Sequence, residues 1–315
     1  MRTYFQRRPA IPYPRSRRAL SANNQTTRKR RYLFSVIFLL PLAACPINPD
    51  TELQTGSFSA LTYNVAGLPE GISGSSPDQN IAQISPLLND YELVLIQEDF
   101  AYHRELIEAA DHPYQSYPKE DHTTLVNDGL NRLSDFPFPQ DVERVRWNMC
   151  YGGIDFGSSD CLASKGFSFA TLELASDLTI GVYNLHAEAG GGEEDNSARF
   201  DNYEQLKEHI AQQPTERAII VGGDTNLHGY DEIDEPVFSA FINDSQMEDV
   251  CRSISCDNEQ IDRFLFRSSS QIAIEPLTWQ IAAEFIDSEG NDLSDHPAVH
   301  VDFSWSEVEI GESDD

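Results

Sequence analysis

The chain reads AIIVGGDTN at residues 218–226, an apolar run that passes through two glycines into three polar residues. A short, continuous apolar run bounded by turn-forming residues is typical of a strand that is buried on both faces. The polar ending is also compatible with an ordinary turn. The segment predicts a central strand whose carboxyl end carries Asp224 and Asn226.

Polar residues stand at the ends of other strand-like segments on both sides of this one. The segments are 58–64, 92–98, 178–186, 261–266 and 297–303. The polar residues that end or flank them are Asn64, Glu98, His186, Asp262, Asp295 and His296. Each has a structural explanation when it is taken alone, as a turn former, a strand end, a core histidine or half of a surface ion pair. Because sheets place their sites at strand ends, the whole set predicts one functional site.

Amphipathic helices alternate with these strands. Apolar residues recur at helical spacing at 81–88 and again at 200–210, and the segments 167–174 and 178–186 predict a hairpin that turns at Asp177. Residues 112–160 are rich in Gly, Asn and Pro and predict a long excursion, which in a compact domain is usually functional. This alternation indicates an α/β domain.

Six blocks in this order resemble the motifs of the endonuclease/exonuclease/phosphatase superfamily. They are Thr62-Tyr63-Asn64-Val65, Ile96-Gln97-Glu98, Asn184-Leu185-His186, Gly223-Asp224-Thr225-Asn226, Ile261-Asp262-Arg263 and Ser294-Asp295-His296-Pro297. The resemblance covers nearly all of residues 57–304. It implies a four-layer α/β/β/α sandwich, in which two β-sheets pack face to face and helices flank them.

The resemblance also implies a metal site. Hydrolysis of a phosphoester places negative charge on phosphoryl and leaving oxygens, and a hard cation neutralises it. Glu98 is the carboxylate that we expect to hold Mg²⁺, with Mn²⁺ as a possible substitute, because such cations prefer oxygen ligands. By resemblance, Asn64 orients the metal shell and Asp295 lies at its edge.

The other motif residues are assigned catalytic roles by the same resemblance. His296 is the expected general base, and Asp262 is expected to bond its ring and raise its basicity. Asp224 would orient the attacking water, while Asn226 and His186 would donate hydrogen bonds to phosphoryl oxygens.

Three stretches are similar to the secreted neutral sphingomyelinases of bacteria, which are phospholipase C-type enzymes: 160–167, 186–206 and 222–226. The resemblance implies a sphingomyelinase-like phosphodiesterase that hydrolyses phospholipid head groups by in-line attack of water. Three alternatives stay open: a phosphatase or phosphodiesterase on inositol phosphates or other small soluble esters, a nuclease, and a non-catalytic lipoprotein. Trp279 and Phe285 are candidates for an aromatic hairpin that contacts a membrane.

The charge of the chain argues against nucleic acid as a partner. The whole chain carries 22 basic and 52 acidic residues, a formal net charge of −30. Residues 1–44 hold ten of the basic residues and no acidic ones, so the remainder has 22 − 10 = 12 basic residues and a net charge of −40. Proteins that bind nucleic acid neutralise phosphates with Lys and Arg, so this surface favours other substrates. We expect a monomer.

Residues 1–44 predict a lipoprotein signal peptide. A basic segment precedes a twelve-residue apolar stretch at 33–44, which is shorter than the ~20 residues of a membrane-spanning helix. Leu42-Ala43-Ala44-Cys45 resembles a lipobox, so we expect lipid on Cys45, a tether at 45–56 and a short acidic tail at 305–315. The protein would be exported and anchored to a bacterial membrane, at the outer membrane or cell surface rather than the inner membrane.

Four further cysteines form two local pairs in this exported chain. Disulfides Cys150–Cys161 and Cys251–Cys256 are the first choice among three connectivities. A zinc site is the alternative, but paired two-residue spacings and neighbouring histidines are lacking.

Overall fold

The computed structural model of the 315-residue chain describes residues 52–70, 76–119, 126–153 and 160–309. The predicted signal peptide and the lipidation site Cys45 lie outside these residues, as do most of the predicted tether and acidic tail. Within the described ranges, every helix is too short or too polar to cross a membrane.

The described residues form two mixed, six-stranded sheets. The first has the order β11 (Ile272–Ile281), β12 (Val299–Glu307), β1 (Thr55–Asn64), β2 (Leu93–Gln97), β4 (Asn131–Ser134) and β3 (Tyr114–Gln115). The second has the order β5 (Glu143–Arg146), β6 (Gly166–Ala175), β7 (Leu178–His186), β8 (Ala218–Asp224), β10 (Asp262–Arg267) and β9 (Glu248–Asp249). The pairs β1–β2 and β7–β8 are parallel, and the other neighbours are antiparallel.

The part of the chain that the structure describes has five α-helices outside the sheets: α1 (Pro77–Leu87), α2 (His103–Ile107), α3 (Glu193–Ala211), α4 (Asp234–Ser245) and α5 (Val250–Ser253). One apolar cluster lies between the sheets and joins residues such as Leu95 and Ile220. A second packs Ile84 of α1 and its neighbours against the first sheet, and a third packs Leu206 of α3 and its neighbours against the second sheet. These clusters define four layers, so the predicted α/β/β/α sandwich is confirmed.

Polar side chains cross the interface between the two sheets. Arg132 of β4 is fully buried, and its guanidinium donates to the carbonyl and hydroxyl oxygens of Ser168 in β6, at 3.0 and 2.8 Å. Gln97 Nε2 donates to Asn184 Oδ1 at 2.7 Å, and Asn184 Nδ2 donates to the Ile96 carbonyl at 2.9 Å. Because buried polar groups are costly unless they are paired, these bonds restrict how one sheet can slide over the other.

Several elements differ from the sequence prediction. The excursion at 112–160 contains strands β3, β4 and β5, and β4 escaped prediction because its buried residues include Asn131 and Arg132 rather than an apolar run. β11 was also missed, since Pro276 interrupts it. It is an edge strand, where proline is tolerated.

Packing excludes one of the two aromatic residues that were candidates for membrane contact. Phe285 is 4% exposed, and its ring lies 4.8 Å from that of Tyr63. The interpretation of Phe285 as a membrane-contacting residue is therefore wrong. Trp279 is half-buried and packs against the cluster between the sheets.

Both predicted disulfides are present, Cys150–Cys161 and Cys251–Cys256. The first joins the segment after β5 to the short 3-10 turn at Asp160–Leu162, and the second joins Cys251 of α5 to Cys256 just after the helix. The zinc alternative is wrong for these cysteines, since each sulfur is bonded to another sulfur.

The close approach of β7 and β8 at Gly223 can be tested by mutation. The φ of this glycine is +145°, and an added Cβ would lie 2.1 Å from the Leu185 carbonyl oxygen of β7. We expect Gly223→Ala to lower the free energy of unfolding by about 3–4 kcal/mol, because strain and overpacking add at this position. Denaturant unfolding followed by circular dichroism measures the change.

Gly191→Ala is the matched control, since an added Cβ there meets no atom within 4 Å. That variant should unfold within about 0.5 kcal/mol of the wild type. Equal stability of the two variants would contradict the close approach of β7 and β8.

Candidate active site

One edge of the second sheet places three predicted residues side by side, at the carboxyl ends of β7 and β8 and at the start of antiparallel β10. In the second sheet, Asp224 at the end of β8 is in register with His186 at the end of β7. On its other side, Asp224 is in register with Asp262 at the start of antiparallel β10. Three predicted site residues are therefore neighbours across one edge of the sheet.

Asn64 joins this edge to the first sheet. The residue is fully buried at the end of β1, and its Nδ2 lies 3.1 Å from Glu98 Oε1 and 3.1 Å from Asp224 Oδ2. Its Oδ1 accepts a hydrogen bond from the Ala66 backbone N–H at 3.1 Å, which sets the direction of the amide. One side chain thus holds two carboxylates close together.

Glu98 follows β2 in a left-handed backbone conformation, with a φ of +57°. Its side chain is 20% exposed, so the carboxylate remains accessible to solvent. Burial raises the pKa of Glu98, although the charge of Lys165 and the hydrogen bond from Asn64 oppose this shift. A carboxylate that burial destabilises gains free energy when a cation neutralises it.

His186 is buried beside the two carboxylates. Its Nε2 lies 3.3 Å from Asp224 Oδ2 and 3.9 Å from Glu98 Oε1, and its Nδ1 is buried without a hydrogen-bond partner. Burial lowers the pKa of His186 well below its usual value, and the charge of Lys165 adds to this effect. The ring is therefore neutral, and its Nε2–H can donate to an oxygen.

His296 and Asp262 form the predicted pair. His296 Nδ1 lies 2.8 Å from Asp262 Oδ2, and the imidazole is 19% exposed while Asp262 is buried. Burial lowers the pKa of His296, but the hydrogen bond and charge of Asp262 outweigh it and raise the pKa to about 10. The other ring nitrogen, Nε2, lies 3.9 Å from Asp224 Oδ2. The pair therefore orients the free nitrogen of His296 toward the carboxylate cluster.

Asp224 and Asn226 share a tight turn after β8. Asp224 Oδ1 accepts a hydrogen bond from the Asn226 backbone N–H at 3.0 Å, and Asn226 has a φ of +48°. Asn226 Nδ2 donates to the Ala187 carbonyl at 3.1 Å. These bonds fix both side chains next to His186.

Asp295 has a different environment from the other predicted residues. It is exposed, and its Oδ1 accepts from Ser294 Oγ at 3.4 Å. The same serine hydroxyl lies 2.7 Å from the Asn64 carbonyl oxygen. Asp295 lines the cavity that contains His296 and Asp262.

The donor set fits a hard divalent cation. Asp224, Asp262 and His296 each offer one ligand atom, and these atoms lie within 4.8 Å of one another. Asp262 Oδ1 is buried without a hydrogen-bond partner, and Glu98 reaches the same cluster through Asn64. Buried carboxylates with spare oxygen atoms suit Mg²⁺ or Mn²⁺ better than softer metals.

A buried charged group beside the site was missed by sequence reasoning. Lys165 forms an ion pair with Asp160, and both side chains are less than 10% exposed. Burial and the charge of Asp160 raise the pKa of the neighbouring Glu188 to about 8. Lys165 and Asp160 stand in one of the sphingomyelinase-like stretches, but nothing in their spacing predicted that they would meet beside Glu188.

Comparisons with known proteins identify relatives of this chain in sequence and in fold. The chain matches no family model. It is 32% identical over 282 residues to proteins named sphingomyelinase from Mycobacterium bovis and Mycobacterium tuberculosis. The alignment covers 82% of this chain and 55% of each relative, so the chain spans about half the length of these relatives.

Solved structures match the fold over a similar extent. A beta toxin variant of Staphylococcus aureus with bound magnesium ions has a TM-score of 0.58 and 15% identity, covering 78% of this chain and 99% of the toxin. An endonuclease/exonuclease/phosphatase from Beutenbergia cavernae has a TM-score of 0.55 and 13% identity, covering 78% of this chain and 71% of that protein. The chain has the endonuclease/exonuclease/phosphatase fold. The predicted resemblance to bacterial sphingomyelinases is confirmed in sequence by the mycobacterial relatives and in fold by the solved structures.

The carboxylate cluster predicts that divalent cations stabilise the protein. At a concentration 100 times its Kd, a ligand that binds only the folded state adds about 2.7 kcal/mol of stability. We expect Mg²⁺ or Mn²⁺ to raise Tm and Glu98→Gln to remove most of the shift. Differential scanning fluorimetry over a cation titration measures it.

Glu143→Gln is the control, because Glu143 is a solvent-exposed carboxylate on β5 that contacts His209. That variant should keep the full cation-dependent shift. An unchanged shift in Glu98→Gln would exclude Glu98 as a ligand.

Proposed function

We propose that this chain is a divalent-metal-dependent phosphodiesterase that releases head groups from choline phospholipids, with sphingomyelin as the preferred substrate. The observation that carries the proposal is the placement of the His296–Asp262 pair. Its free nitrogen points to a carboxylate cluster that is suited to a hard cation. A base beside a cation is what attack of water on a phosphodiester requires.

In this proposal His296 accepts the proton of the attacking water through Nε2. Asp262 holds the proton on Nδ1 and thereby leaves Nε2 as the basic atom. Asp224, which lies 3.9 Å from Nε2, orients the water. Asp262 also stabilises the imidazolium that forms when the proton is transferred.

Two hydrogen-bond donors hold the substrate phosphate, on the side of Asp224 that faces away from the His296–Asp262 pair. The neutral ring of His186 offers Nε2–H, and Asn226 offers its side-chain amide. Glu98, Asn64 and Asp295 form the predicted metal site, with Asn64 positioning the carboxylates rather than binding through its own oxygen. When bound, Mg²⁺ supplies positive charge that offsets developing negative charge on the phosphate and favours the neutral form of nearby His296.

Charge and relatives support a choline lipid over a nucleic acid. The chain after residue 44 carries a formal net charge of −40, which repels polyanions and attracts cationic head groups. The mycobacterial relatives are named sphingomyelinases. We further propose that the protein acts as an exported monomer, anchored to the outer membrane or cell surface through lipid on Cys45, which keeps the site near lipid substrates.

The substrate proposal is tested by a hydrolysis panel. The purified chain receives sphingomyelin, phosphatidylcholine, plasmid DNA and inositol phosphates, with Mg²⁺ or with excess EDTA, at low and high salt. We expect phosphocholine release from sphingomyelin to be fastest and chelation to abolish it, since the carboxylate cluster lacks its counter-charge without a cation. Activity in EDTA would remove the metal from the proposal.

The same panel separates the alternatives. Rapid cleavage of plasmid at low salt with both choline lipids intact would replace the lipase assignment with a nuclease. Hydrolysis of inositol phosphates alone would favour a phosphatase of small soluble esters. Hydrolysis of no phosphoester would leave a non-catalytic lipoprotein.

A double-mutant cycle tests the roles of His296 and Asp262. Because Asp262 acts only through the ring, His296→Ala and Asp262→Asn should each lower kcat, and their effects should not add. General bases contribute about 10²–10⁴ in rate, so His296→Ala should lose activity in that range with little change in KM. Retention of half of the wild-type kcat by His296→Ala would remove it as the base.

A further inference from the structure

A cavity of about 520 Å³ adjoins the His296–Asp262 pair. It lies between the connection after β8, the residues before β10 and the residues before β12. The walls include the carboxylates of Glu259 and Asp295 and the apolar surfaces of Ile261 and Pro297. A group attached to a phosphate at the site therefore has space beside the base.

Tyr230 stands in the wall of this cavity and is exposed to an unusual degree. It is 87% exposed, the highest value among the large hydrophobic residues that the structure describes as exposed. A tyrosine ring offers a large apolar face and a polar tip, so its position in a cavity wall beside the His296–Asp262 pair points to contact with a ligand.

The backbone around Tyr230 is anchored although its ring is free. The Asp231 N–H donates to the His228 carbonyl at 3.0 Å, and the His228 N–H donates to Asp234 Oδ2 at 3.0 Å. Asp234 is in turn held by the Arg199 guanidinium at 2.9 Å. Because the backbone is anchored, ligand binding has only the rotamer freedom of the ring left to restrict.

The carboxylates of the cavity wall favour a cation. None of the described residues that line the cavity is Lys or Arg. Glu259 is paired with Arg252 and Arg263, and Asp295 lies beside His296, whose pKa the charge of Asp295 helps to raise. The described part of the wall therefore offers carboxylate oxygens to a cation and no Lys or Arg to an anion.

The combination of an aromatic face, apolar walls and a carboxylate matches one type of cation in particular. A quaternary ammonium has methyl groups instead of N–H donors, is weakly hydrated and is attracted by the ring quadrupole of tyrosine. A primary ammonium would instead need several hydrogen-bond acceptors around it. We propose that Tyr230 forms the aromatic wall of the subsite that binds the quaternary ammonium of the substrate head group. This subsite rests on the phosphodiesterase function proposed above.

Two soluble diesters test the subsite without a membrane. One is 4-nitrophenyl phosphocholine, and the other is its 3,3-dimethylbutyl analogue, in which carbon replaces the charged nitrogen. The full chain with Mg²⁺ is assayed on both, and the ratio of the two kcat/KM values reports recognition of the charge alone. We expect wild-type protein to prefer the choline ester and Tyr230→Ala to lower this preference about 2- to 5-fold, as expected for an exposed cation–π contact.

Tyr230→Phe keeps the aromatic face and should keep the preference, whereas Tyr230→Leu keeps apolar bulk and should lose it. Phe200→Ala is the matched control, since Phe200 is a 50% exposed aromatic residue on α3 that does not line this cavity. Because Tyr230 makes little contact with the core, its three variants should retain the wild-type Tm.

The possible results separate the subsite from the function on which it rests. An unchanged preference in both Tyr230→Ala and Tyr230→Leu would overturn the subsite and leave the phosphodiesterase intact. An equal fall for both soluble esters, or a fall confined to sphingomyelin vesicles, would also overturn it, and the vesicle result would assign Tyr230 to membrane contact. Failure of wild-type protein to hydrolyse either ester would refute the proposed function, and the subsite with it.

Discussion

The requirement that buried polar groups be paired governs how the two sheets meet. Arg132, Gln97 and Asn184 lie in the apolar interface between the sheets, where each unpaired group would cost several kcal/mol. The hydrogen bonds that these side chains make form in one register of the sheets, because a slide of one residue would separate the donors from their acceptors. Apolar packing alone would tolerate more than one register. The polar contacts therefore select the arrangement in which the ends of β1 and β8 coincide.

This register places like charges together at the strand ends. Glu98 and Asp224 share the amide of Asn64, and Asp262 lies on the next strand with one oxygen unpaired. Carboxylates confined in this way repel one another. The free energy of apolar packing between the sheets offsets this repulsion. Such a site is organised before any ligand arrives, so little reorganisation is needed when charge develops during a reaction.

Much of the fold and the site could be predicted from sequence, for identifiable reasons. Asp224 comes at the end of an apolar strand, so its position could be predicted from the local sequence pattern. The contact between His296 and Asp262 spans 34 residues and was reached only through resemblance to a family. Arg132 and Lys165 could not be predicted, because their burial depends on partners in distant segments. Tyr230 belongs to a polar connection, where the local pattern carries no information about an adjacent cavity.

The parallel pairing of β7 and β8 has a further, evolutionary consequence. His186 and Asp224 are held in register by backbone hydrogen bonds that do not depend on side-chain identity. The connection at 228–233 follows this ladder and the Asp224–Asn226 turn, and His228, Gly229 and Tyr230 in it line the cavity. Mutations there can accumulate without disturbing the catalytic strands. Proteins with this fold can therefore acquire new substrates through substitutions in this one loop, while the catalytic residues stay unchanged.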